Sequence, residues 1–236
     1  MMLAVRLARP VDAVVFDMDG VLLDTERLYT QATQQIVGRF GKVFDWSIKG
    51  NMIGRPARDS ARYLVEALGL PISPEDYLRE REIIFETLMP TAEAMPGARE
   101  LVEALDTRGV PIAVATSSAS RLYDLKITRH RDWFARFRVV VNGDDPRIAH
   151  GKPAADIYLL VARELGVAPD RCVAIEDAPA GVASARAAGM QVIAVPDPAL
   201  GCDRVADADL VLDSLAGLRP ADLGFDGVAS GGGSGA

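Results

Sequence analysis

The chain has 236 residues, 49% of them apolar, and carries 26 Lys and Arg against 33 Asp and Glu for a net charge of −7. That length allows one large domain or a domain with an insert. The acidic balance argues against a nucleic-acid backbone or an anionic membrane surface as partner. Two cysteines with no CxxC pair and only two histidines leave no zinc cluster and no disulfide framework.

The N-terminal "MMLAVRLARP" is interrupted by Arg6 and Arg9 and lacks the unbroken apolar run of a signal peptide. No stretch approaches the ~20 apolar residues of a membrane span, so a soluble cytoplasmic protein is expected. The first predicted strand is 13–17 (AVVFD). Residues 25–95 then hold no convincing strand, only amphipathic helical stretches near 25–39, 57–69 and 74–88. Beyond them, strands are predicted at 111–116, 138–142, 172–176, 191–195 and 209–212. Helices are predicted between them at 97–108, 154–165 and 178–188.

This alternation predicts an α/β fold, a doubly wound parallel sheet. The helical block reads as a small cap domain inserted after the first strand, with connections near 20–25 and 90–97 that would allow hinge motion. The expected division is 1–23 and 96–229 for the sheet domain and 24–95 for the cap. The Gly/Ser-rich segment 230–236 is expected to form a flexible tail. Trp46, Tyr63, Tyr77 and Phe85 are expected in the cap core.

Ligands of open α/β sheets bind outside the carboxyl ends of the strands, and four strand ends here are polar. The first ends in Asp17, Met18, Asp19 and Gly20. Two carboxylates so close raise each other's pKa, which a bound cation, a retained proton or both would offset. The second ends in Thr116, Ser117 and Ser118. The third leads through "NGDDPRIAHGKP" to Lys152, with Pro153 expected to open a helix. The fourth ends in Glu176 and Asp177.

Acidic oxygens from two strands suit Mg²⁺, while hydroxyls and a lysine suit phosphoryl oxygens. Gly20 would let the chain pass close to the phosphate. An aspartate in such a place can attack phosphorus and form an aspartyl-phosphate. Asp17 then reads as nucleophile, with Asp19 as general acid and afterwards base.

The segments "FDMDGVLLDT", "ATSS", "GKP" and "EDAPAGVASARAAGM", in this order, resemble the haloacid dehalogenase-like superfamily, in its β-phosphoglucomutase-like group with a helical cap. The resemblance extends to about residue 220. The segments "MPTAEAMPGA", "ITRH" and "NGDDPRIAHGKP" are similar to the branch of pseudouridine-5′-phosphatases and glycerol phosphatases. It implies a Mg²⁺-dependent phosphomonoesterase acting on a small phosphorylated metabolite. Asp17 is implied as nucleophile, Asp19 as acid/base, and Thr116 and Lys152 as phosphate binders beside the Ser117 backbone N–H. The implied metal ligands are the Asp17 carboxylate, the Asp19 carbonyl and Asp177, with Glu176 binding directly or through water. Glu26 and Arg55 are candidate substrate contacts from the cap, with Arg58 nearby.

The mutases of this resemblance carry a cap arginine three residues after a glycine. Counted from Gly54, that position here is Ala57, which favours hydrolysis over phosphoryl return. Two alternatives stand beside the phosphatase. A sugar phosphomutase would be activated by a sugar bisphosphate, and a non-catalytic phosphate-binding module would bind without turnover. The chain is expected to work as a monomer, with its cap completing its own site.

Overall fold

The computed structural model describes residues 7–52 and 57–225; Arg55 and the 230–236 tail lie outside the described residues. Six strands form one parallel sheet in the order β3-β2-β1-β4-β5-β6. They are β1 (Ala13–Phe16), β2 (Ile112–Ala115), β3 (Val139–Val141), β4 (Cys172–Glu176), β5 (Gln191–Ala194) and β6 (Leu210–Val211). β1 lies between β2 and β4, with Phe16 in register with Val114 on one side and Ile175 on the other. The strand order reverses between β1 and β4, and a doubly wound sheet opens its crevice at such a switch point.

The two-residue period of a strand divides the core. Val14 and Phe16 point into one apolar layer with Leu101, Trp133 and Phe134. Ala13 and Val15 point into the other, against Ile157, Val161 and Val182. Helices α5 (Ala98–Thr107), α8 (Asp156–Leu165) and α9 (Pro179–Ala187) supply much of these layers and fall within two residues of the sequence expectation. Pro153 does not open α8. The chain makes a turn first, and α8 starts at Asp156, whose carboxylate accepts from the Ala149 and His150 amides.

Between β1 and α5 stands the expected helical insert: α1 (Glu26–Gly38), α2 (Trp46–Lys49), α3 (Ala57–Leu68) and α4 (Pro74–Leu88). α4 begins where Ser73 Oγ accepts the Asp76 amide at 3.0 Å and Pro74 takes the first turn, a pairing that satisfies an end donor and presets φ. The insert has a core of its own built on Ile36, Val37, Leu64 and Tyr77. The aromatic expectation needs two corrections. Trp46 is 40% exposed, its ring face taking the Lys49 ammonium at 5.0 Å. Phe85 joins the larger layer beside Leu28 and Met89, at the seam with the sheet domain. Tyr63 is half-buried and Tyr77 fully buried.

The two connections lie side by side. Leu23 and Ala94 form an antiparallel bridge, flanked by Asp24 N–H to Glu93 O at 2.8 Å and Met95 N–H to Leu22 O at 2.9 Å. His130 ties down the same region, its Nε2 at 2.8 Å from the Ala92 carbonyl oxygen. The short helices α2, α6 (Ser120–Lys126) and α7 (Arg131–Phe134) were not foreseen. One or two turns carry too little periodicity to be read in an 11–18-residue window.

Candidate active site

Asp17 follows β1 directly, and its amide donates to Ile175 O of β4 at 2.9 Å. Its carboxylate therefore stands at the switch point, almost wholly buried. Lys152 reaches it from the loop before α8, with Nζ at 2.5 Å from Asp17 Oδ1, 2.6 Å from Glu176 Oε1 and 3.0 Å from the Ala115 carbonyl. An ammonium has three N–H donors and here has three acceptors. Glu176, at the end of β4, also accepts the Tyr158 hydroxyl at 2.5 Å. Oε1 of Glu176 thus holds two donors, which leaves Oε2 for any further partner.

Glycine makes these approaches possible at two points. Gly181 in α9 lies against Glu176, and a Cβ there would run into its carboxylate. Gly20 has φ of +78° and sits against the Asp177 side chain, so a side chain there would be strained and obstructed.

Asp17, Glu176 and Asp177 each present an oxygen within 4.8 Å of the others. Burial raises the Asp17 pKa, the Lys152 charge lowers it, and the Glu176 and Asp19 charges raise it again, leaving it above the usual carboxylate range. Asp177 is also raised, by burial first and then by the charges of Asp17 and Glu176. Three carboxylates, Asp17 and Glu176 buried and Asp177 half-buried, remain short of positive charge beside one ammonium. All the donors are hard oxygens, so the cluster fits a divalent cation of the Mg²⁺ type.

Thr116, at the end of β2, is buried, and its Oγ1 accepts the Ser118 amide at 3.1 Å, which shapes the turn. Two clefts open above these strand ends. One, of about 220 Å³, is lined by Asp17, Asp19, Ser117, Glu176 and Asp177. The other, of about 470 Å³, runs between the sheet domain and the helical insert, past Asp19, Ser118, Glu26, Tyr29, Lys49 and Tyr77.

The haloacid dehalogenase-like hydrolase family matches residues 11–189. The chain belongs to this family. It is 45% identical over 217 residues to (DL)-glycerol-3-phosphatase 2 of Arabidopsis thaliana, covering 90% of each chain. It is 43% identical over 226 residues to a Drosophila melanogaster protein named "Probable pseudouridine-5'-phosphatase", covering 94% of this chain and 98% of that one. Among solved structures it resembles a haloacid dehalogenase family hydrolase from Deinococcus radiodurans R1 with bound phosphate and sodium. The TM-score is 0.76 at 31% identity, covering 92% of this chain and 97% of that one.

In this hydrolase the structure brings Asp17, Asp19, Gly20, Ser117, Lys152, Glu176 and Asp177 together at the strand ends. Thr116 lies beneath them in the turn. Glu26 lines both clefts and pairs with Lys49 Nζ at 3.0 Å. Ala57 also lines the larger cleft, where the mutase resemblance calls for arginine, and Arg58 is exposed.

Sequence reasoning missed a second buried lysine. Lys126 has no solvent exposure and binds Asp19 at 2.5 Å (Oδ1) and 2.7 Å (Oδ2). Tyr158, the donor to Glu176, was hidden among the apolar residues of α8. The one signal for Lys126 was its position directly before "ITRH", a segment already singled out.

Burial pushes the Asp19 carboxyl up. The Lys126 charge outweighs it, with hydrogen bonds from Lys126, Thr25 and Ser118, and holds the carboxyl below the usual range. Among the described residues no helix is long and apolar enough to cross a membrane.

Proposed function

We propose that this hydrolase is a Mg²⁺-dependent phosphomonoesterase of small hydroxylated metabolites, working through an aspartyl-phosphate on Asp17. The observation that carries the reading is the Asp17 carboxylate at the floor of a cleft, paired with Lys152 and flanked by the acidic pair 176–177. Bound by Asp17, the Asp19 carbonyl, Asp177 and Glu176 Oε2, the metal would supply positive charge to the phosphoryl oxygens.

An Asp17 oxygen bonds to phosphorus as the ester P–O bond breaks, and Asp19 gives its proton to the leaving oxygen. Water then attacks the acyl phosphate, its proton passes to Asp19, and the P–O bond to Asp17 breaks to release inorganic phosphate. Lys152, Thr116 and the Ser117 amide hold the phosphoryl oxygens. The resting Asp19 is held ionised, which suits the base step. The like charge of an incoming phosphate raises its proton affinity for the acid step.

Residues 24–95 act in this reading as the cap, hinged at the Leu23–Ala94 bridge. The larger cleft is lined by Thr30, Thr33 and Tyr77 with the Glu26–Lys49 pair, a polar wall suited to a polyol, sugar or nucleoside-like leaving group. The named glycerol and pseudouridine phosphatases support the same range. Ala57 in that lining favours hydrolysis over mutase action. The chain's own helical insert walls the larger cleft, and in this reading the protein is a monomer. Its unpaired Cys172 and Cys202 suit a reducing compartment, the cytoplasm.

The test is inorganic phosphate release from a panel of phosphomonoesters with Mg²⁺, with EDTA, and with Asp17→Asn. Turnover lost in both controls supports the reading. Turnover that persists in Asp17→Asn contradicts it.

A further inference from the structure

Among the described residues Lys126 is the largest charged side chain with no solvent exposure, and the acyl-phosphate chemistry leaves it without a part. A buried ammonium is costly unless its partners are well placed. Here they come from three separate elements. Lys126 Nζ has four acceptors within hydrogen-bond distance for its three N–H donors: both Asp19 oxygens, Ser118 Oγ at 2.7 Å and the Tyr29 hydroxyl on α1 at 2.9 Å. The Ser118 hydroxyl in turn donates to Asp19 Oδ2 at 2.9 Å.

Thr25 makes the purpose of the arrangement clearer. It stands at the N-cap of α1, where a threonine hydroxyl ordinarily accepts an amide of the first turn. Instead it makes no cap bond and donates to Asp19 Oδ1 at 2.5 Å. Each Asp19 oxygen therefore receives two donors, while the side chain keeps 22% exposure at the mouth of the larger cleft. An ion pair serving the fold alone could be replaced by apolar packing with little loss. This one spends a helix cap and two further hydroxyls on the orientation of a single carboxylate that faces substrate.

The geometry points to Lys126 as a positioning residue that fixes the Asp19 carboxylate for proton exchange with the leaving oxygen and the attacking water. The inference rests on the acid–base reading of Asp19 given above. Lys126, with no exposure to the cleft, acts through Asp19, with Ser118 and Thr25 as the other two fixed points. Tyr29 ties the assembly to the cap helix.

The experiment compares Lys126→Met, Asp19→Asn and the double variant on an alkyl ester, glycerol 3-phosphate, and an aryl ester, p-nitrophenyl phosphate. Nitrophenolate leaves without a proton, whereas an alkoxide does not. Lys126→Met should lose about 10²-fold or more in kcat on the alkyl ester. On the aryl ester it should keep a burst of nitrophenolate within about tenfold of the parent rate, because general-acid help is not needed there. The double variant should match Asp19→Asn alone, as residues acting through one another do. It also removes both charges, so it reports even where Lys126→Met alone folds poorly.

Equal losses on the two esters, or a double variant much slower than Asp19→Asn, would overturn the role of Lys126. An Asp19→Asn variant that keeps full alkyl-ester turnover would overturn the acid–base reading, and the inference with it.

Discussion

The two aspartates of "DMD" sit in networks of similar plan and different charge. Asp17 meets a buried lysine, Lys152, whose second carboxylate partner Glu176 accepts a tyrosine hydroxyl, that of Tyr158. Asp19 meets another buried lysine, Lys126, which donates to the tyrosine hydroxyl of Tyr29. The Asp19 network is balanced, one carboxylate to one ammonium, with donors from Lys126, Thr25 and Ser118 on the carboxylate. The Asp17 network sets Asp17, Glu176 and Asp177 against one ammonium and remains electrostatically incomplete. The directions of the pKa shifts follow: Asp17 and Asp177 are raised, Asp19 is lowered. A network short of positive charge is suited to take up a cation and a reacting phosphoryl group. A complete one is suited to hold a proton-transfer group still.

The strongest way to break this comparison is to remove its two centres. Asp17→Asn should abolish phosphate release, by on the order of 10⁴-fold or more, because the proposed nucleophile has no substitute. Lys152→Met should lower kcat about 10²–10³-fold by withdrawing one fixed charge from the phosphoryl oxygens. It should also destabilise the metal-free protein by about 3–5 kcal/mol, since Asp17 and Glu176 lose the buried cation they share. Phosphate-release assays and chemical denaturation in EDTA check the pair.

The next test sharpens the charge difference. A carboxyl whose folded pKa is raised binds more protons folded than unfolded, so it lowers stability as pH rises above the unfolded value near 3.8. Metal-free protein should therefore lose stability from pH 5 to pH 8 as Asp17 and Asp177 ionise. Stabilisation by Mg²⁺ should grow over the same range, reaching about 2.7 kcal/mol at a hundredfold excess over Kd. Melting temperatures with Mg²⁺ and with EDTA at each pH read this directly, and a shift that shrinks with pH would contradict it.

Smaller effects follow at the edges. Tyr158→Phe removes one of two donors to Glu176 Oε1 and should cost about 1–2 kcal/mol in denaturant midpoint analysis, with a modest fall in kcat. Arg121 reaches from α6 to Glu82 and Glu86 of the cap helix α4. All three side chains are well exposed, so Arg121→Ala should change stability by less than about 1 kcal/mol, and less still at high salt.

The sequence was most legible where chemistry is local. Each polar strand end could be read because a β-branched run stops at a carboxylate, a hydroxyl cluster or a glycine. The sheet order then places Asp17 and the pair 176–177 on either side of one crevice. The helical insert was legible because three of its helices run for twelve residues or more with one apolar face.

Lys126 was not legible. It belongs to a two-turn helix with no readable period, and its partner Asp19 is more than a hundred residues away. Tyr158 escaped for the opposite reason, since its ring completes an apolar helix face while its hydroxyl serves Glu176. Trp46 was misread because an aromatic in a cap suggests core, whereas its ring face is occupied by a cation at the surface.

The most direct measurement traps the phosphoryl group itself. Asp19→Asn protein, mixed with p-nitrophenyl phosphate and Mg²⁺ and quenched in acid, would be digested and its peptides weighed. The account predicts a single added phosphoryl group on the peptide that carries Asp17, lost on treatment with hydroxylamine. Phosphate found on another residue, or steady turnover with no labelled peptide at any time, would contradict it.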